Sequence, residues 1–158
     1  MIVAQGITQE ENDRRQLAPM LKSCETQAGR LPKELLCDAG YWSQANAGLG
    51  EDVELLIATQ KDWKIRKKLA ESEAPRGRIP HGLTVTQRME LKLLTKKGKA
   101  GYKQRGSTIE PVFGQMVMRG LTRFMLKGVE KVGMEWSLWC TTHNLLKLWR
   151  AGWRPESA

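Results

Sequence analysis

Two spacings of apolar residues run through this chain, one of two residues and one of three to four. Ile2 to Thr8 reads as a strand, with Ile2-Val3-Ala4 giving way to Ile7. It starts without a lead-in turn, which suggests that a neighbouring strand precedes it. Leu17, Met20, Leu21 and Cys24 then recur at helical spacing behind a cap at Asn12 or Asp13, and Gly29 and Pro32 close that helix. Leu35-Leu36-Cys37 predicts a short buried strand ending on Asp38, with a turn at Gly40-Tyr41-Trp42. Val53 to Thr59 is the clearest strand, and its unbroken Leu55-Leu56-Ile57-Ala58 run fits a parallel position covered on both faces.

Beyond Thr59 the pattern weakens. Residues 60–86 are basic and carry Pro75, Gly77, Pro80 and Gly82, which predicts a loop insertion. Arg88 to Leu94 can form a helix. A further helix is predicted from a cap at Ser107 or Thr108, with Pro111 in its first turn and Phe113, Val117 and Leu121 facing a core. Gly120 interrupts it, a turn follows near Arg123-Phe124, and a long terminal helix runs from about Gly128 to Arg150. Leu138, Trp139, Leu145, Leu146 and Trp149 form the stripe expected to pack on the sheet, and Gly152 is the expected stop. Strands alternating with helices make this an α/β chain.

Composition adds a partner. The 158 residues suffice for one domain, and no apolar run approaches the length of a membrane helix. Lys and Arg outnumber Asp and Glu by 26 to 17, a formal charge of +9, and 14 of those cations lie between Lys61 and Arg105. Such a segment attracts polyanions, nucleic acid first among them. Cys24, Cys37 and Cys140 form no close pair, which argues for a reducing cytoplasm without disulfides or a zinc site. His143, among apolar neighbours, reads as a packed and hydrogen-bonded histidine rather than a ligand.

Two acidic positions are candidates for chemistry. Asp38 closes a buried strand, the place from which α/β folds present metal ligands, yet Asp-Ala-Gly is equally good turn chemistry. Glu110 falls in the first turn of the expected helix, at its positive end, and Tyr102 and Arg105 are three residues apart on the approach to it. On spacing alone the plainer account is a capped helix with a surface ion pair. The wording of the stretch is more specific: Tyr-x-x-Arg-x-x-x-x-Glu-Pro-Val-Phe-Gly-Gln resembles the tyrosine–arginine–glutamate–lysine signature of bacterial insertion-sequence transposases with a DDE catalytic triad. The likeness extends through Arg119-Gly120-Leu121, Gly128-Val129-Glu130-Lys131-Val132 and His143-Asn144-Leu145-Leu146, and upstream to Asp38-Ala39-Gly40-Tyr41-Trp42.

That resemblance implies an incomplete ribonuclease-H-like fold: a mixed sheet lacking its first strand, with the C-terminal helices packed on it. Residues 1–158 would be a partial DDE transposase catalytic domain, with 60–100 a basic loop insertion inside it. It implies DNA as substrate and strand cutting and joining by two divalent ions about 4 Å apart. Asp38 and Glu110 match two of the family's three acidic metal ligands. Tyr102, Arg105 and Arg119 would contact DNA phosphate, joined by Lys64, Lys67, Lys68, Lys96, Lys97 and Lys99 of the basic segment. The first aspartate belongs on a strand before Ile2, and the family lysine falls at Val117. The chain is therefore expected to bind Mg²⁺ or Mn²⁺ weakly and to be inactive alone. The alternative is a non-catalytic DNA-binding or regulatory remnant that inhibits a full-length transposase. The implied partners are DNA and a full-length transposase or a second copy, without a membrane, in the bacterial cytoplasm at the nucleoid.

Overall fold

The computed structural model describes residues 1–49 and 52–154. The chain divides into two compact units, one of Glu11–Thr108 and one of Met1–Glu10 with Ile109–Ala158.

The unit of residues 11–108 is built on two strands. β1 (Glu34–Cys37) and β2 (Glu54–Ile57) pair in parallel, Leu35 opposite Leu55 and Cys37 opposite Ile57. Leu55, Leu56 and Ile57 are all buried, so β2 is covered on both faces, as its unbroken apolar run requires. α1 (Leu17–Ala28) buries Leu17 and Leu21 and stops at Gly29, whose φ of 68° suits glycine. A short helix, α2 (Gln44–Ala47), lies between the strands; α3 (Asp62–Glu71) and α4 (Val85–Leu94) follow β2. Ile65, Met89, Leu93 and Tyr102 complete one core with the strands and α1.

α5 (Lys96–Met118) crosses the division at Thr108. Within the first unit it approaches its neighbours through glycine. A methyl group added at Gly101 would strike Glu34 Oε1 and come within 3.4 Å of Leu36 on β1 and Leu56 on β2; one at Gly98 would strike the Lys92 and Leu93 carbonyls at the end of α4. Glycine at these two positions lets the helix backbone approach the strands at Gly101 and the end of α4 at Gly98.

The second unit pairs the remainder of α5 with α6 (Val129–Arg150), burying Met116, Cys140 and His143. Phe113 stacks on Trp136 with ring centres 5.9 Å apart, and Phe124 meets the same ring edge-on at 6.3 Å. These rings, with Ile7, Val117 and Leu121, line an apolar cavity of about 470 Å³. The Glu135 carboxylate accepts from the Met125 and Leu126 N–H groups, at 3.0 and 2.9 Å, and so fixes the loop before α6.

Several expectations are corrected. Ile2–Thr8 forms no strand, and the described sheet is a parallel pair rather than a mixed sheet. Among the described residues no strand lies beside Ile2; its N–H donates to Asn144 Oδ1 (2.8 Å) and its carbonyl accepts from Asn144 Nδ2 (2.7 Å). The stretch expected to be a loop contains α3, because Lys and Arg are good helix formers and Ile65 and Leu69 supply an inward face. α4 begins three residues early, on a capping box in which Thr84 and Gln87 satisfy each other's backbone N–H. Nor do Ser107 and Thr108 start a helix. α5 already begins at Lys96, where Thr95 accepts from the Gly98 and Lys99 N–H groups, and both hydroxyls donate back to the Gln104 carbonyl. Pro111 therefore lies inside the helix. On α6 the stripe is rotated: Leu138, Leu145 and Trp149 are exposed, while Cys140 and His143 face inward. Leucine and tryptophan dominate the apolar count, but the small Cys140 is what the close inner face admits.

Candidate functional site

Asp38 follows the last residue of β1, where the strand ends and a 3₁₀ turn, Ala39–Tyr41, begins. Its carboxylate has two engagements. Oδ1 accepts from the Gly40 N–H at 2.9 Å, so the side chain caps its own turn. Oδ2 accepts from an Arg105 guanidinium nitrogen at 3.2 Å, across 67 positions of sequence. Of the two readings of Asp38 left open by the sequence, the turn former is seen, and its second oxygen faces the Arg105 guanidinium.

Arg105 comes from α5. Tyr102, one turn earlier, is buried at 4% exposure among the core residues, and the Arg105 guanidinium carbon lies 5.9 Å from the centre of its ring. The three-residue spacing does put the two on one side of the helix, with Tyr102 beneath as a platform and Arg105 reaching the strand end.

Asp13 was one of two cap candidates in the sequence reading. The cap is Asn12, whose side chain accepts from the Arg14 N–H, and Asp13 sits in the turn behind it. A methyl group at Gly40 would lie 3.0 Å from Asp38 Oδ1 and 3.2 Å from Asp13 Oδ2, so two carboxylates flank this glycine. Asn46, 6% exposed, fastens the two turns together: its Nδ2 donates at 2.7 Å to both the Arg14 and the Tyr41 carbonyls. The negative charge is felt nearby. Burial and then Asp13 and Asp38 raise the Tyr41 phenol, and burial followed by Asp38 pushes the Cys37 thiol up to about 12, with Arg105 pulling the other way.

The other expected site residues are placed as follows. Glu110 and Arg119 lie in the second unit, Glu110 exposed on α5 and Arg119 half-buried just after it. Lys64, Lys67, Lys96 and Lys97 are exposed, and Lys99 is half-buried. Lys68, Lys97 and Lys99 have close intramolecular partners. Lys68 pairs with Glu90 at 2.7 Å, Lys97 bridges the adjacent Glu54 and Glu34 of the two strands, and Lys99 donates to the Ser72 carbonyl. Lys67 reaches Glu71, one turn on, only at 3.9 Å.

His143 is buried at 1% exposure, as the sequence suggested, but neither ring nitrogen has a hydrogen-bond partner among the described residues. Burial, then the Lys147 and Arg119 cations, lower its pKa.

Carboxylate oxygens are the donors a hard divalent cation prefers, and the two of Asp38 are engaged by the Gly40 N–H and by Arg105. Among the described residues no group of three or more His, Cys, Asp or Glu side chains converges to hold a metal ion.

Residues 75–149 match the family described as "Transposase DDE domain". The match takes in Tyr102, Arg105, Glu110 and Arg119 and supports a DDE transposase; such enzymes act on DNA and use divalent metals. Asp38 and Asp13 lie outside the matched segment. No curated protein and no solved structure matches the chain. Among the described residues no helix is long and apolar enough to cross a membrane.

Proposed function

We propose that the chain is part of the catalytic domain of an insertion-sequence DDE transposase and takes part in cutting and joining DNA strands in the bacterial nucleoid. Asp38 and Glu110 serve as acidic ligands to Mg²⁺ or Mn²⁺. Arg105, carried on the Tyr102 ring, and Arg119 receive DNA phosphate, and Lys64, Lys67, Lys68, Lys96, Lys97 and Lys99 add affinity without base specificity. The incomplete ribonuclease-H-like sheet of β1 and β2 presents Asp38.

The observation that carries this reading is the meeting of Asp38 with Arg105 at 3.2 Å. The resemblance assigns these two distant residues to one site on separate motifs, and a phosphate-binding guanidinium beside a metal-binding carboxylate is what two-metal strand transfer needs. Metal binding by the chain alone is weak, because among the described residues no three acidic side chains gather to neutralise two dications. A second reading, a non-catalytic DNA-binding protein that restrains a full-length transposase by mixed assembly, draws on the same scarcity of ligands.

Mn²⁺ titration followed by water-proton relaxation, with strand cleavage assayed alongside, tests the proposal. Weak binding lost in Asp38→Ala and in Glu110→Ala, without cleavage by the chain alone, is the expected result. Cleavage that persists in Glu110→Ala would show the site to be elsewhere.

A further inference from the structure

We infer that the outer face of α6 is a self-association surface, on which a second copy of this chain lays the same helix antiparallel to the first about a two-fold axis. The helix is apolar on two opposite sides. Cys140 and His143 face inward, while Met134, Leu138, Leu145 and Trp149 on the other side are each more than half exposed. A helix that is apolar all round belongs inside a protein, and a continuous exposed stripe of this kind marks an interaction site. The pairing needs neither metal nor DNA, so it stands or falls apart from the function proposed above.

The spacing of the stripe identifies the occupant. Met134 lies seven residues before Thr141, and Trp149 lies seven after Thr142; Leu138 lies three before and Leu145 three after. The stripe therefore reads the same in both directions about a midpoint between the two exposed threonines. Turned end for end, a second copy sets Leu145 against Leu138 and Trp149 against Met134, with the small threonines meeting at the axis. A two-fold interface requires this self-complementarity, because residue i of one copy meets j of the other and j meets i. An unrelated partner would place no such condition on the spacing.

Charge fixes the direction. Glu130 lies four residues before Met134, in the first turn of α6. Arg154 closes the other end: its guanidinium lies 3.6 Å from the centre of the Trp149 ring and donates to the Trp149 and Trp153 carbonyls. Antiparallel pairing brings Glu130 of each copy beside Arg154 of the other, twice over by symmetry. Parallel pairing would set like charge against like at both ends and crowd the two Trp149 rings at one level.

Sedimentation velocity on the whole chain, freed of nucleic acid and followed from about 1 to 200 μM, tests the pairing. One helix pair is a small interface, so the dimer should assemble at about 10–100 μM. Leu138→Lys and Leu145→Glu, each at an exposed position and each present twice in the dimer, should weaken it at least about tenfold. Combined, they set the new lysine against the new glutamate only in the antiparallel register, so the double variant should associate more tightly than either single one. Glu130→Arg and Arg154→Glu should behave in the same way, each weakening the dimer and the two together restoring it. Circular dichroism at about 1 μM, where the chain is monomeric, verifies that every variant keeps its helix content. A chain that stays a monomer to about 200 μM overturns the inference and assigns the face to a different partner. A dimer indifferent to Leu138→Lys places the interface elsewhere, and double variants no tighter than the single ones overturn the antiparallel register.

Discussion

Asn46 tests how the site is held. Its side-chain amide sits at 6% exposure between two turns and donates to the Arg14 and Tyr41 carbonyls at 2.7 Å each, while its own N–H is capped by Ser43. Asn46→Ala removes the donors of two part-buried hydrogen bonds and leaves the Arg14 and Tyr41 carbonyls without this partner. A lost hydrogen bond that strands a buried acceptor costs about 1–3 kcal/mol, so two, with some relief from entering water, should cost about 2–4 kcal/mol. At this chain length about 1 kcal/mol moves Tm by roughly 2–4 °C, which gives a drop of about 5–15 °C. Urea denaturation at pH 7, followed by tryptophan fluorescence, measures the same quantity independently. The loss should also be felt at the site, because Asn46 links the turn carrying Asp13 to the turn carrying Asp38; the Gly40 amide should shift. Asn46→Asp is the sharper variant. A carboxylate there offers no donor and sets negative charge against two carbonyls, so it must be worse than alanine. An alanine variant within about 0.5 kcal/mol of wild type, or an aspartate variant more stable than alanine, would refute the account.

Gly98→Ala should destabilise the first unit by about 1–3 kcal/mol, since its methyl group collides with the Lys92 and Leu93 backbone carbonyls, which cannot swing aside; urea denaturation reads the loss, and a neutral result would mean that α5 does not start against the end of α4 as described. His143 is neutral in the folded chain with its pKa below the usual 6.5, so the unfolded chain binds the extra proton and stability should fall as pH drops through and below about 6.5. His143→Leu should flatten that slope at no net cost at pH 7, and a variant that keeps the slope would assign it to another group. Among the lysines, replacing Lys67 and Lys96 by Gln should weaken duplex binding and reduce the salt slope more than replacing Lys68 and Lys97, which carry close carboxylate partners; equal losses in anisotropy titrations would contradict this.

The parts of the fold that could be read from sequence are those whose signal is local. β2 announced itself because four successive apolar residues leave no polar face, and α6 was bounded by Gly128 and Gly152, near the observed Val129 and Arg150. α3 was hidden because its basic composition resembled a loop, although only Ile65 and Leu69 were needed to anchor it. The true start of α5 was masked by Gly98 and Gly101, which look like helix breakers in isolation. Their purpose, close approach to strands and to α4, is visible only once those partners exist. At the site, Asp38 and Arg105 were both singled out, yet their pairing spans 67 positions and no periodicity encodes it. Asn46 was passed over because it acts on carbonyls that bear no side-chain signature, and Asp13, read as a cap, gave no sign that it would lie beside Asp38.

Cys37 stands directly behind Asp38, paired with Ile57 at the end of the sheet, and its thiol is pushed up to about 12. At pH 8 only about one such thiol in ten thousand is a thiolate, and nucleophilic attack requires the thiolate. The cysteine nearest the acidic site is thereby protected from oxidants and alkylating reagents for as long as the two strands stay together. Its modification becomes a clock for their separation: the rate at which Cys37 takes a label is set by how often β1 peels from β2, not by the reagent's appetite for sulfur.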